Sequence, residues 1–318
     1  MVYNTVKNCE RGADMNLSSM EYFVVLARER NFTRAAEKLH ITQQSLSAHI
    51  AALEKELGSQ LVVRRVPLEL TYAGQVFLRY AASFQRQLTT MRQEFCDITA
   101  DQRGVLRIGI AHTRGRVIMP ALIQTFQVRY PNISVELTEA PNEALCKALL
   151  NGETDLAIVH FPGSIQGVTL RDFYEEELVL LIAKDLLARI YGDGEDQTMA
   201  AVEAGDLRPL ERCPFVMGNE SDIAAGFGFR TFERTKIHPP IKARSFNVET
   251  LLSLCVEGVG GCFCPENLAR TTLTAEQLAT LRIIRLGPEA KYPIRFGYVE
   301  NSYQWSIISE FMNTALNT

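Results

Sequence analysis

The sequence predicts a multi-domain α/β chain: a winged helix-turn-helix, a long linker helix and a two-lobed α/β domain. Three observations predict it. Two short helical patterns meet at a polar break around His40-Ile41-Thr42, and an apolar spacing of alternating four and three residues runs from Phe77 to Ile98. After Arg103-Gly104 the pattern changes to alternating strands and helices. With 318 residues and 47% hydrophobic content, the chain can bury two or three cores.

The first helix is expected over Ser18–Arg28, where Ser18-x-x-Glu21 reads as a capping box and Phe23, Leu26 and Ala27 share a face. Ala35 and Ala36 allow a second helix to approach its neighbours closely across a sharp turn. Thr42 stands where the N-cap of a third helix belongs. Along that helix Leu46, Ile50, Leu53 and Leu57 recur at four, three and four residues and are expected on one buried face. Gln43, Gln44 and Ser47 then occupy its first turns, the part that enters a major groove in helix-turn-helix proteins. Gln pairs bidentately with adenine, and Ser reaches phosphate or base edges. Taken alone, the stretch 33–53 also reads as a plain helical hairpin with its polar residues in water. Gly58 stops the third helix, and two short extended runs around Pro67 make a wing with Arg64 and Arg65 at its base, where cations neutralise phosphates.

Residues 17–74 resemble the winged helix-turn-helix of the LysR-type bacterial transcriptional regulators. The resemblance is carried by Phe23, Phe32, Thr33, Ala35, Ala36, Leu39, Gln43, Ser47, Ile50, Leu53, Glu54, Leu57, Gly58, Leu61, Arg64, Leu70, Thr71, Ala73 and Gly74. The chain departs from the family at Gln44, usually Pro, at Val62, usually Phe, and at Ala48 and Glu69, where basic residues are common. These departures bear on base preference and wing affinity, not on fold. The resemblance implies that Gln43 and Ser47 contact the groove and that Arg34 and Arg64 sit on phosphate. Thr33, Thr42, Gln44 and Arg65 complete the candidate DNA-binding set.

Phe77, Ala81, Phe84, Leu88, Met91, Phe95 and Ile98 form an a/d heptad seam. A helix of roughly 30 residues reaches about 45 Å, too long to fold back on a small domain, so the seam predicts a homodimer. Packing on the chain's own second half is the alternative. The resemblance implies a dimerising linker helix, further assembly to a homotetramer, and double-stranded promoter DNA as partner. Two joined heads also double the phosphate contacts.

Residues 1–103 carry net charge +2 and the remainder −6, so DNA affinity depends on local arginine placement and dimerisation, not on a strongly basic field. No run approaches 18 apolar residues and no signal segment is visible at the N-terminus, where Met1 and Met15 are both eligible starts. The expectation is a cytoplasmic protein without a membrane partner. The seven cysteines, Cys9, Cys96, Cys146, Cys213, Cys255, Cys262 and Cys264, follow neither a disulfide framework nor a zinc spacing. Cys255, Cys262 and Cys264 could form a redox or soft-metal cluster, the alternative to small buried hydrophobes in an apolar strand. Peroxide-sensing relatives within the family do work through cysteines.

In the second half, strands are expected at Val105–Ile110, Ile133–Glu139 and Asp155–Phe161, with helices at Val117–Tyr130 and Asn142–Asn151. A second unit follows Leu178–Ile182: strand Pro214–Met217, helices Ile223–Lys236 and Thr250–Glu257, strand Gly261–Cys264 and short helix Pro265–Arg270. Arg282–Leu286 and Ile294–Val299 return the chain, and Trp305–Leu316 closes it. Two such lobes joined by crossover strands enclose a cleft, with ligands at strand ends near helix N-termini. The element order resembles the effector domain of the LysR-type regulators, itself like the periplasmic binding-protein fold. Its motifs are Arg107-Ile108-Gly109, Tyr130-Pro131, Gly152-x-x-Asp155-Leu156-Ala157-Ile158 and Glu257-Gly258-Val259-Gly260-Gly261, and the resemblance covers about 300 of the 318 residues.

The resulting division is an N-terminal extension 1–16, a DNA-binding domain 17–74, a linker helix 75–103 and an effector domain 104–318. Lobe I takes about 104–178 and 285–318, and lobe II about 179–284. Candidate effector-binding residues are Thr113, where the resemblance implies a hydroxyl, Arg114, Asn142, His160, Asn219, Ser221 and Asn247. A helix N-terminus with Arg114 or Arg116 would suit an anionic small-molecule effector. Phe161 lies near the crossovers. No nucleophile elbow, phosphate loop, metal-ligand helix or dinucleotide fingerprint is present, so no enzyme activity, metal or cofactor is expected. A free-standing solute receptor would need export, which the N-terminus does not suggest.

Overall fold

A computed structural model describes residues 16–65, 67–99, 103–161, 163–300 and 303–317. The expected extension up to Met15, with Cys9, lies outside the described residues. The chain divides into two compact units, Met1–Thr99 and Ala100–Thr318.

In the first unit α1 (Leu17–Glu29), α2 (Phe32–Lys38) and α3 (Gln43–Leu57) precede a wing of β1 (Val62–Val63) and β2 (Glu69–Leu70), and α4 (Tyr72–Ile98) follows. Phe23, Leu26, Ala35, Leu46, Ile50, Leu53 and Leu61 fill the core. The start of α1 differs from the expected capping box: the side chain of Asn16, not Ser18, caps it by accepting from Ser18 N–H. Leu57 lies off the buried face and is exposed, because the last turn of α3 runs out to the αL cap at Gly58. The seam on α4 is also corrected. Phe77 and Ala81 are buried inside this unit, Phe77 edge-on to Phe23 at 5.1 Å, whereas Phe84 (47%), Met91 (47%), Phe95 (59%) and Ile98 (70%) are exposed. One apolar stripe is therefore buried at its start and largely exposed over the rest of its length. Gly74 lets α4 dock: a Cβ there would sit 2.0 Å from the Leu61 carbonyl oxygen.

The second unit begins β3 (Gly104–Ile110), α5 (His112–Arg129), β4 (Ile133–Glu139), α6 (Asn142–Leu150), β5 (Leu156–Val159) and β6 (Val168–Ala183). It continues through α7 (Lys184–Tyr191), α8 (Glu195–Glu203), β7 (Phe215–Met217), α9 (Ile223–Thr235), β8 (Ile241–Arg244), α10 (Val248–Val256) and β9 (Cys262–Pro265). It ends with α11 (Glu266–Thr272), α12 (Ala275–Ala279), β10 (Leu281–Arg285), β11 (Lys291–Val299) and α13 (Ser306–Leu316). In lobe I, β4, β3 and β5 run parallel, and β11 lies antiparallel to both β5 and the first part of β6. In lobe II the last part of β6 pairs antiparallel with β9 and β10, while a single bridge from Phe215 to Gly261 brings in β7 and β8.

Strand β6, at 16 residues, is the spine common to both lobes. Its first ten residues escape the sequence pattern for two reasons. The register with β11 slips at Ile294/Arg295, leaving Phe173 extra on β6 and breaking the period of two. The run Glu175-Glu176-Glu177 also reads as surface, yet Glu176 is only 4% exposed.

Glu176 is buried because Arg114 on α5 meets it. Arg114 Nε and Nη2 donate to its two carboxylate oxygens at 2.8 and 3.0 Å, Tyr174 Oη donates at 2.7 Å and Tyr292 Oη at 2.5 Å. Arg114 Nη1 also donates to Ile158 O at the end of β5 (3.4 Å). Burial opposes both charges, but these bonds outweigh it: the Glu176 carboxyl is held below its usual range and Arg114 remains firmly protonated. The network ties α5, β5, β6 and β11 at one point.

Two outcomes follow. Glu176→Gln strands a buried guanidinium and is expected to cost about 3–5 kcal/mol in urea unfolding at neutral pH. Because the folded-state Glu176 pKa is depressed, its contribution is present above the ordinary carboxylate range and lost as pH falls through the lowered value; the variant should show a flatter acid limb. A loss under about 1 kcal/mol would mean the pair is replaceable. Gly74→Ala should lower stability by about 1–3 kcal/mol through overpacking, read as a reduced thermal midpoint.

Candidate functional site

The first candidate surface is the tip of the helix-turn-helix. Thr42 Oγ1 accepts from Ser45 N–H (3.1 Å), so its hydroxyl caps α3 and starts the helix that carries exposed Gln43 and Gln44. Asn31 likewise caps α2 by accepting from Arg34 N–H at 3.0 Å. Arg64 stands 5.6 Å over the Phe32 ring, donates to Ser47 Oγ at 3.3 Å and lies 3.8 Å from Glu54 Oε2. Glu54 Oε1 in turn accepts from the Leu61 and Val62 N–H groups at 2.8 and 3.2 Å, which pins the wing to α3.

Thr33, Gln43, Ser47, Arg64 and Arg65 therefore surround one depression of about 340 Å³. Arg34, Thr42 and Gln44 stand outside it. The guanidinium of Arg34 donates to Glu29 O at 2.7 Å, tying α2 to the end of α1. Arg65 pairs with Glu69, so the acidic departure on the wing partly matches a wing cation. Sequence reasoning missed Arg30 and Asn31, which also line the depression. Arg30 adopts φ 49° as the αL cap of α1, an unusual conformation for a side chain of this type.

The second candidate is the cleft between the lobes, about 80 Å³, formed where helices begin. Thr113 and Arg114 come from the start of α5, Asn142 from α6, Ser221 and Asp222 from the start of α9, and Val248 from α10, with Glu176 and Tyr292 also lining it. Asp222 Oδ1 accepts from Ala224 and Ala225 N–H (2.9 and 3.1 Å), whereas α5 and α6 have no side-chain cap. Asn142 Oδ1 is buried without a hydrogen-bond partner among the described residues.

Three candidates fall outside this cleft. His160 lies behind it, Nδ1 3.1 Å from Pro293 O and the ring edge-on to Tyr292 at 5.3 Å. Asn247 caps α10, accepting from Glu249 and Thr250 N–H at 2.8 and 3.3 Å. Asn219 accepts from Ser221 N–H at 3.2 Å and lines a separate hollow with Arg244 and Phe246. Phe161 is buried against Gly297. The expectation of a free cation is corrected as well: Arg114 is neutralised by Glu176, and Arg116 pairs with Glu249 across the rim from α5 to α10. Glu176, Tyr292 and Asp222 were missed. Only the Asp222-Ile223-Ala224 start of a helix carried a readable signal, as an N-cap.

The expected redox cluster is packed inside the second unit. Cys255, Cys262 and Cys264 are buried, and Cys255 Sγ lies 3.3 Å from Leu181 O. The Cys262 contact and burial push Cys255 up; at Cys262 the bond with Cys255 acts downward, but the Cys264 contact and burial leave it raised. Burial pushes Cys213 up to about 12. Thiolate, the reactive form, is therefore suppressed at neutral pH. Among the described residues no group of three His, Cys, Asp or Glu is arranged to hold a metal ion, and no helix is long and apolar enough to cross a membrane.

The bacterial regulatory helix-turn-helix model of the lysR family matches residues 17–75, and the LysR substrate binding domain model matches residues 99–317. The chain is 29% identical to the HTH-type transcriptional regulator YcgK of Bacillus subtilis over 269 residues, covering 80% of this chain and 82% of that one. It is 28% identical to the nitrogen assimilation regulatory protein nac of Klebsiella aerogenes, covering 81% and 80%. Among solved structures, full-length OxyR from Pseudomonas aeruginosa superposes with TM-score 0.69 at 21% identity over 95% of this chain and 94% of that one. CbnR, a LysR family transcriptional regulator, in complex with its target DNA gives 0.62 at 21% identity over 95% and 99%. The chain belongs to the LysR family and is a DNA-binding transcriptional regulator with an effector-binding domain.

Proposed function

We propose that this regulator acts in the cytoplasm as a homodimer, assembling further to a tetramer. A small molecule held by Thr113, Asn142 and Ser221 adjusts its grip on promoter DNA. The observation that carries the effector assignment is Asn142 Oδ1, a buried acceptor without a partner in a cleft lined by the starts of helices from both lobes. A buried polar atom left unpaired costs about 1–3 kcal/mol, and a ligand donor in the cleft would recover it. The mechanism is linkage: a ligand preferring one lobe geometry shifts the population of DNA-binding arrangements by its differential affinity.

For DNA, Gln43 and Ser47 are assigned to base edges and Arg64, with Arg30, Arg34 and Arg65, to phosphates. CbnR has been solved with its target DNA, which supports a duplex partner for this fold. For dimerisation, Phe84, Met91, Phe95 and Ile98 leave an apolar face on α4 that is continuous, through Phe84, with a hollow lined by Leu57, Tyr72, Val76 and Tyr80. A second copy covering it would bury the exposed seam. Phe77 and Ala81 support it from inside.

Replacing Gln43 and Ser47 together by Ala should weaken binding to the native upstream DNA in a gel shift, by about 1–3 kcal/mol for each base edge no longer read. Unchanged, equally salt-sensitive binding would remove the groove assignment. Phe84→Asp with Leu88→Asp should halve the mass by sedimentation while keeping the folded helical spectrum, and an unchanged mass would place the interface elsewhere. The native protein should resist a thiol reagent at Cys255, Cys262 and Cys264 until denaturant opens the domain. Rapid native-state labelling at neutral pH would bring back the redox reading.

A further inference from the structure

The cleft's charge inventory says what kind of effector it takes, an inference that rests on the effector reading above. The ionisable carboxylates and guanidinium lining it are Arg114, Glu176 and Asp222. Arg114 and Glu176 cancel one another, and the rim cation Arg116 is matched by Glu249, while the other basic group at the start of α5, His112, lies 3.2 Å from Glu139. Among the described residues, Asp222 alone has no cationic partner at the cleft. A dianion would therefore meet a net negative site whose two guanidinium groups, Arg114 and Arg116, are already paired. An apolar ligand would leave Asn142 Oδ1 unpaired. An anionic group nevertheless has a place, since α5 and α6 present starts without side-chain caps, next to the Thr113 hydroxyl. Size narrows the choice further: a water needs about 10–15 Å³ of such space, so 80 Å³ holds roughly five to eight non-hydrogen atoms.

We propose that the cleft binds a small zwitterion of α-amino-acid size, with its carboxylate at the uncapped helix starts and its ammonium towards Asn142 Oδ1 and Asp222. Each end then meets a group that has no other partner of its kind in the cleft.

Calorimetric titration of the full-length protein with glycine, L-alanine and L-serine tests this, against propionate (anion only), malonate (dianion), ethylammonium (cation only) and L-phenylalanine (same charges, too large). At least one of the three small amino acids should bind ten-fold or more tightly than every control. Asp222→Asn retains a good helix cap and removes the charge. It should keep the wild-type melting temperature, lose at least ten-fold in amino-acid affinity and bind propionate no worse. Asn142→Leu should lose a similar factor. Tighter binding of propionate or malonate, unchanged affinity in Asp222→Asn, or no binding by any of the three amino acids would each overturn the proposal. Thr113→Trp separates the two readings. A control ligand that binds wild type but not this cleft-filling variant leaves the cleft as effector site and removes the zwitterion; a ligand binding both proteins equally lies outside the cleft.

Discussion

The buried contact between Arg114 and Glu176 is the constraint on which the second unit depends. It joins the first turn of α5 to the strand that serves both lobes, and Tyr174 and Tyr292 saturate the remaining carboxylate positions. A buried ion pair of this kind is weak evidence for net stability, since well-packed apolar residues can do as well. Its value is positional. It fixes where α5 begins relative to β6 and β11, and hence where Thr113 faces the start of α9. It also removes the strongest cation from the cleft's recognition chemistry, so what is left to select a ligand is the Asp222 carboxylate, the Asn142 carbonyl oxygen, the Thr113 and Ser221 hydroxyls and helix ends.

A comparable arrangement organises the DNA-binding tip. Glu54 holds the wing through two backbone N–H groups, and Glu29 gathers Lys38 at 2.6 Å and the guanidinium of Arg34. The Lys38 bond holds Glu29 below the usual carboxylate range. Acidic residues thus orient the cations that would otherwise project freely, at the expense of positive field. With net charge of only +2 over residues 1–103 and Glu69 on the wing, one head has little electrostatic surplus. In the proposed dimer two heads would double it, which would tie the exposed half of α4 to DNA affinity as much as to assembly.

What the sequence disclosed follows from period and punctuation. The N-cap at Thr42, the αL stop at Gly58 and the buried Leu46, Ile50 and Leu53 depend on local spacing and were legible. The stripe on α4 was legible as a stripe, but periodicity says only that a face is covered, not by what. Phe77 and Ala81 went to the chain's own core because Gly74 brings α4 against Leu61. In the cleft, Thr113 and Asn142 were readable as residues at strand ends, whereas Glu176 was hidden in an acidic run and by the bulge at Phe173. Asn219 was expected in the cleft from its place between a strand and a helix and Asn247 from its place near the crossovers, but Asn219 closes a turn onto Ser221 N–H and Asn247 caps α10. A polar residue in such a loop either faces a ligand or satisfies nearby backbone, and only the geometry decides.

Ligand size sets a limit on how the lobes can be switched. Reversing a two-state equilibrium from 1:99 to 99:1 requires about 5.5 kcal/mol of differential affinity. A ligand of five to eight atoms, at a ceiling of about 1.5 kcal/mol per atom, has roughly 7–12 kcal/mol in total, and its proposed contacts to Thr113 and Asn142 would stay within lobe I. Only its contacts with the start of α9 discriminate between the two. The rim pair Arg116–Glu249, which also crosses the cleft, is of a class worth about 0–1 kcal/mol. So small a ligand can control the lobes only if the two geometries are nearly balanced without it, and a weak rim pair above a rigid floor at Glu176 is a structure in which they can be.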